Sequence, residues 1–189
     1  MDTLSGFEFR AGLREAAGMR LVLAVLLLLM ALAGCRAPRE PVDRGEVWRA
    51  LQEPAARYRL DPSLLFALVA AESNFDARAR NGEARGLFQV KPAAWASVSA
   101  QPYEPMVWDW RRNLLVGVDY LAWCRHALNA HDRYSDRLLL AAFHYGLEYV
   151  EAQGFDADRI PCPPNPIYRE LWQGNLRPVP PPAEVPAKG

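Results

Sequence analysis

The sequence predicts an all-α fold, a compact helical domain with short irregular loops over roughly residues 44–176. Three observations carry that expectation. Apolar residues recur at helical spacing through nearly the whole span. No long alternating strand and no two-residue hairpin signal is read from it. Helix starts are marked by capping residues, most clearly Asp61 before Pro62, where a side-chain acceptor precedes a residue with a preset φ and no N–H to satisfy.

The elements follow in order. A first helix is expected over about Glu46–Arg59, weakened at Pro54, which lacks a donor and should kink or interrupt it. The second begins at Pro62 and runs through Leu64, Leu65, Leu68 and Val69 to about Glu72. A short third opens at Pro92. The fourth, about Asn113–Ala130, carries Leu114, Leu115, Val118 and Leu121 on one face. The fifth starts near Asp136 and includes Leu139, Leu140, Phe143 and Leu147; a last helix near Pro166–Gln173 closes the domain.

Outside that span the chain changes character. After Met19-Arg20 an unbroken apolar run of 13 residues reaches from Leu21 to Ala33. That is too short for a bilayer core, which needs about 20 helical residues. A positive start, a short apolar stretch and small residues at its end describe a secretory signal peptide, with Met19 read as its start. Leu32-Ala33-Gly34-Cys35 resembles the lipobox of bacterial lipoproteins, which implies acylation of Cys35; an ordinary signal peptide or a short buried helix is the alternative. Residues 1–34 are therefore expected to be a signal peptide with lipobox, 35–43 a tether, 44–176 the domain and 177–189 a Pro-rich extended tail. The expected address is the cell envelope, lipid-anchored at the outer membrane and facing the periplasm.

Composition bounds the partners. Hydrophobic residues make up 51% and charged residues 23%, the balance of a folded chain rather than a disordered one. Lys plus Arg and Asp plus Glu both number 22, which removes any electrostatic reason to expect nucleic acid. No cofactor is called for, and His126, His131 and His144 lack a zinc spacing, so no metal is expected. With Cys35 lipidated, Cys124 and Cys162 remain as a pair in an oxidising compartment. A disulfide between them is expected, closing a 38-residue separation and contributing roughly 3–4 kcal/mol in the loop-closure picture. It would also hold Tyr168 near one wall of the cleft. Two unrelated buried thiols are the alternative.

Glu72 is the residue with chemical consequence. It follows Leu65 by seven and Leu68 by four, so it projects from the apolar face of its helix. It also lies at the carboxyl end, where the helix dipole disfavours an anion. Both effects favour the protonated acid, the state a general acid needs near neutral pH. A helix-end glutamate paired with Arg78, Arg80 or Arg85 is the alternative, and position alone leaves both open.

The surrounding residues resemble a known family. Leu60-Asp61-Pro62-Ser63-Leu64-Leu65, followed by Ala71-Glu72-Ser73-Asn74-Phe75, is similar to the opening of the SLT-type, lysozyme-like lytic transglycosylases. Gly86-Leu87-Phe88-Gln89-Val90-Lys91-Pro92 resembles that family's Gly-Leu-Met-Gln-Ile-Met-Pro block. Asn113 to Leu121 resembles its Asn-Ile-x-x-Gly-x-x-Tyr-Leu helix. Ala141-Ala142-Phe143-His144-Tyr145-Gly146 stands where the family has Ala-Ala-Tyr-Asn-Ala-Gly. The four blocks span about 60–150 in the family's order. Phe143 removes a hydroxyl from the last block, and Tyr145 is the residue that could restore it or merely line the cleft.

The resemblance implies a lysozyme-like domain acting on peptidoglycan glycan strands, with Glu72 as sole acid/base. Glu72 would protonate the MurNAc-β-1,4-GlcNAc oxygen, then take the C6 hydroxyl proton as a 1,6-anhydro ring closes, without water. Gln89, Phe88, Phe143, Tyr145 and Ser73 are the implied substrate-binding residues. Gln89 could equally be a buried amide satisfying backbone groups, and Ser73 a helix-end cap. Gly86 and Gly146 read as backbone requirements, and His144 as a structural histidine. Trp108-Asp109-Trp110 could stack on sugars or serve as core or lid. Two rivals remain. One is a goose-type muramidase with Asp76 or Glu83 as second carboxylate; the other is a non-catalytic glycan-binding envelope lipoprotein.

Overall fold

The structure, a computed structural model, describes residues 39–183. The signal segment, the lipobox and Cys35 lie outside the described residues, as do the last six residues of the tail. The chain forms helices α1 (Arg44–Tyr58) and α2 (Pro62–Ser73), then a small antiparallel hairpin of β1 (Arg80–Asn81) and β2 (Ala84–Arg85). There follow α3 (Pro92–Val98), a single turn α4 (Tyr103–Met106) and the long α5 (Trp110–Ala130). Helices α6 (Asp136–Tyr145), α7 (Leu147–Ala152) and α8 (Pro166–Trp172) complete the domain. The architecture is the expected all-α one. Among the described residues, no helix is long and apolar enough to cross a membrane.

Helix α2 is the centre of the packing. Asp61 caps it by accepting from the Ser63 N–H at 2.8 Å, with Pro62 in the first position. Every residue from Ser63 to Val69 is buried. A helix apolar on all sides must be sheathed by others, and α1 and α8 pack directly against it. Asn165 caps α8 through the Ile167 N–H and also donates from Nδ2 to the Ala71 carbonyl at 3.1 Å. One side chain thus starts α8 and docks it on the carboxyl end of α2.

A second lock joins the hairpin to α5. Asn113 is fully buried; its Oδ1 accepts from the Phe88 N–H at 2.9 Å while Nδ2 donates to the Arg85 and Val107 carbonyls. Three buried backbone groups depend on that one amide. Gly86, at φ +75°, leaves no room for a Cβ, which would lie 2.4 Å from Asn113 Nδ2. Gly117 lets the Phe88 ring sit against α5, since a Cβ there would meet the ring at 2.4 Å.

Several expectations are corrected. Helix α1 runs uninterrupted through Pro54, whose ring is buried, so packing outweighs the lost hydrogen bond. Helix α5 begins three residues early because Asp109 caps it, accepting from the Arg111 and Arg112 N–H groups. Helix α6 stops before Leu147 at Gly146, φ +97°, and α7 restarts in a new direction. A two-residue hairpin does exist: Asn81 pairs with Ala84 around Gly82-Glu83, and Gly82, at φ 55° in the first turn position, is its turn signal. Cys124 and Cys162 are not joined and stand as free thiols. Cys124 is fully buried on α5 beside Tyr120, whereas the Cys162 thiol lies against the Pro163 carbonyl at 3.5 Å. Neither margin is wholly loose. Glu40 and Val42 bond to the backbone of Ala77 and Phe75, and Val179 is buried against the core.

Candidate active site

Glu72 is the penultimate residue of α2, and the chain turns sharply after it. Asn74 takes the left-handed conformation (φ 50°) and returns its N–H to the Ala70 carbonyl; Phe75 follows at φ 64°. A phenylalanine at positive φ is uncommon. It is held by packing against Phe66, ring centroids 4.9 Å apart, with the Arg44 guanidinium over the Phe75 ring at 4.8 Å. The turn leaves the Glu72 side chain 13% exposed, on the wall of a cavity of about 500 Å³.

Among the described residues no arginine pairs with that carboxyl. Arg78 bonds Glu40, Arg85 donates to the Gly82 and Ala84 carbonyls, and Arg80 lies over the Trp108 ring. Glu72 Oε1 instead accepts from the Tyr168 hydroxyl at 2.5 Å, and His144 Nδ1 stands 3.4 Å from the same oxygen. Oε2 has no protein partner among the described residues. Tyr168 is fully buried, and burial, together with the neighbouring Glu72 carboxylate, pushes its hydroxyl well above the usual 10.0. It therefore remains a proton donor.

The remaining predicted residues divide. Phe88, Gln89, Phe143 and Tyr145 line the cavity with Glu72. Phe88 and Phe143 meet edge to face at 5.8 Å and make an apolar floor. Gln89 Nε2 spends its donors on the Ala79 and Gly86 carbonyls, which leaves its amide oxygen as the group a ligand could use. The Tyr145 hydroxyl is tied to the Pro161 carbonyl at 3.1 Å, so it does not restore the hydroxyl lost at Phe143. Ser73 is outside the cavity; its Oγ bonds back to the Val69 carbonyl, as a helix-end hydroxyl often does.

Other candidates also resolve. Asp76 is absorbed in the loop, where Oδ1 accepts from the Glu40 and Arg78 N–H groups, and Glu83 sits exposed in the hairpin turn; neither lines the cavity. The carboxylate that does is Glu148, on α7. Trp108 lies among Arg78, Arg80 and Arg85, and Trp110 under Arg111, both away from the cavity. Two aromatics that line it are open to solvent: Tyr149, and Trp123, which is 37% exposed and stacked on Tyr120 at 5.7 Å with planes 15° apart. Lys91 supplies a cation at the rim. Among the described residues no cluster of His, Cys, Asp or Glu could hold a metal.

Sequence reading put Tyr168 near one wall of the cleft but gave it no role at Glu72, because nothing in local spacing links it to a residue 96 positions away. What the arrangement can do is hold one carboxyl oxygen with donors while offering the other to a ligand on an aromatic-lined wall. Residues 49–157 match the family model described as transglycosylase SLT domain.

Proposed function

Because the chain belongs to the transglycosylase SLT domain family of glycan-cleaving enzymes, we propose that it cleaves the MurNAc-β-1,4-GlcNAc bonds of peptidoglycan as a lytic transglycosylase, with Glu72 as acid and then base. The observation that carries this reading is the differentiated carboxyl, Oε1 engaged by Tyr168 and His144 and Oε2 open. In the first step the proton on Oε2 passes to the glycosidic oxygen, and the C1–O electron pair leaves with that oxygen. The charge then developing on Glu72 is stabilised by the donors already aimed at Oε1. In the second step the carboxylate takes the proton of the MurNAc C6 hydroxyl, whose oxygen bonds to C1 and closes the 1,6-anhydro ring. One carboxylate suffices because the nucleophile belongs to the substrate.

The rest of the cavity is read accordingly. Phe88 and Phe143 present an apolar floor to the sugar, the Gln89 amide oxygen accepts from a sugar hydroxyl or N-acetyl N–H, and Tyr145 lines the wall. Cys35 is proposed as the lipid attachment site that holds the domain at the envelope membrane. The muramidase reading needs a second carboxylate to direct water, and Glu148 is the residue that would have to supply it.

The experiment is digestion of purified sacculi by the soluble domain, with the new ends analysed by mass. Ends lighter by one water than a hydrolysed terminus are expected; full-mass ends would turn the assignment to hydrolysis. Glu72→Gln keeps the shape but cannot act as an acid, so release should fall roughly 100-fold or more while sacculus binding and helical content persist.

A further inference from the structure

His144 stands where the resembled block has asparagine, and its placement is closely determined. It lies in the last turn of α6, one residue before Tyr145, where Gly146 breaks the helix. Its ring is met edge-on by Tyr145 at 4.7 Å and by Tyr168 at 5.1 Å. Two aromatic neighbours on different helices fix the plane of the imidazole, so Nδ1 is aimed at Glu72 Oε1 rather than merely passing near it. The side chain is 31% exposed and lines the same cavity, and Nε2 has no protein partner among the described residues.

Hydrogen-bond logic assigns the tautomer. Tyr168 donates to Oε1, so Oε1 is the accepting oxygen, and the acid proton of Glu72 belongs on Oε2. A lone pair on Nδ1 would then face a lone pair on Oε1. Only the Nδ1–H form makes the approach attractive, and it leaves the Nε2 lone pair toward solvent. At 3.4 Å the contact is long for a hydrogen bond at rest. Such contacts at active sites tighten once the reacting complex forms, here when Glu72 acquires its full charge.

We propose that His144 is a positioning residue for Glu72, whose Nδ1–H holds Oε1 alongside the Tyr168 hydroxyl, turns Oε2 to the glycosidic oxygen and strengthens its hold as the carboxylate forms. His144 keeps its Nδ1 proton through both steps; the proton that moves is the one on Oε2, and it is regained from the C6 hydroxyl. The other ionisable groups around the ring are Glu72 on α2, Tyr168 on α8 and Tyr145 on its own helix. Glu148 and Tyr149 on α7 and Lys91 at the rim share its cavity. This inference rests on the reading of Glu72 as the acid.

The test compares His144→Asn and His144→Phe on soluble glycan strands, with Glu72→Gln alongside, and reads the neutral ring's tautomer in the wild-type domain by nitrogen NMR. Asparagine keeps a donor of similar reach, so kcat is expected within about threefold of wild type. Phenylalanine keeps the aromatic packing and loses the donor, so kcat is expected to fall roughly 10- to 100-fold with KM little changed. The neutral ring is expected as the Nδ1–H form. Wild-type kcat in His144→Phe beside an inactive Glu72→Gln would overturn the positioning role alone. Full activity in Glu72→Gln would overturn the acid assignment and this role with it. The tautomer measurement needs no variant to fold, and an Nε2–H ring would refute the proposal by itself.

Discussion

Tyr168 and Glu72 show why one half of this site was legible and the other was not. Glu72 announces itself locally, as a carboxylate on an apolar helix face at a carboxyl terminus, flanked by residues of a recognisable block. Tyr168 reaches it only because Asn165 docks α8 on α2, a long-range contact that no spacing rule encodes. The altered block left Tyr145 either to replace the hydroxyl lost at Phe143 or to line the cleft; it lines the cavity, its hydroxyl is taken by Pro161, and the donor to Glu72 arrives from another helix. Tyr168→Phe should therefore lower kcat on glycan strands by roughly tenfold, the worth of one hydrogen bond to a developing charge. The ring still fills its site, so the circular dichroism spectrum should not change; unaltered kcat would remove Tyr168 from the machinery.

At the scale of elements, the proline-marked starts and the apolar stripes were read correctly, the start of α5 was placed three residues late, and the ends depended on single backbone conformations. Asp61-Pro62 and Pro92 begin helices where expected. Gly146 at φ +97° ends α6 inside a stretch whose apolar pattern continues into Leu147. Gly82-Glu83 turns a hairpin that is too short to show alternation. The disulfide expectation failed for a related reason, because cysteine counting says nothing about which way a thiol faces. Contact between blocks is equally invisible in the chain: Asn113 and Gly117 make sense only against Gly86 and Phe88. Gly117→Ala should push the Phe88 ring from the cavity floor and destabilise the domain by about 1–3 kcal/mol, as overpacking does. Thermal unfolding and sacculus digestion should both register it, whereas an unchanged midpoint would mean that the floor yields freely.

Across the whole molecule, protons on buried groups set the conditions under which the domain persists. Burial pushes the Cys124 thiol from 9.0 up to about 12 and the Tyr103 hydroxyl from 10.0 up to about 12, and it raises Tyr120 and Tyr168 as well. For each, the folded chain holds a proton that the unfolded chain releases at a lower pH. The stability they contribute is complete below pH 9 and is lost progressively as pH rises toward 12. The unfolding temperature is expected to fall through that window, and a flat profile would show that these groups ionise without unfolding. The proposed anchor rests on the sequence alone, on an apolar run too short to span a bilayer and a cysteine shortly after it. Cys35→Ser is expected to move the protein from the membrane fraction to the soluble one with catalysis intact. Membrane association that survives without lipid labelling would remove the anchor.

Lys91 carries a practical consequence. It is the single lysine between residues 39 and 183, and it stands at the rim of the cavity that holds Glu72. An amine-reactive ester applied to the folded soluble domain thus has one side-chain target in that span, so a fluorophore, biotin or photo-crosslinker can be delivered to the mouth of the cleft without engineering a cysteine.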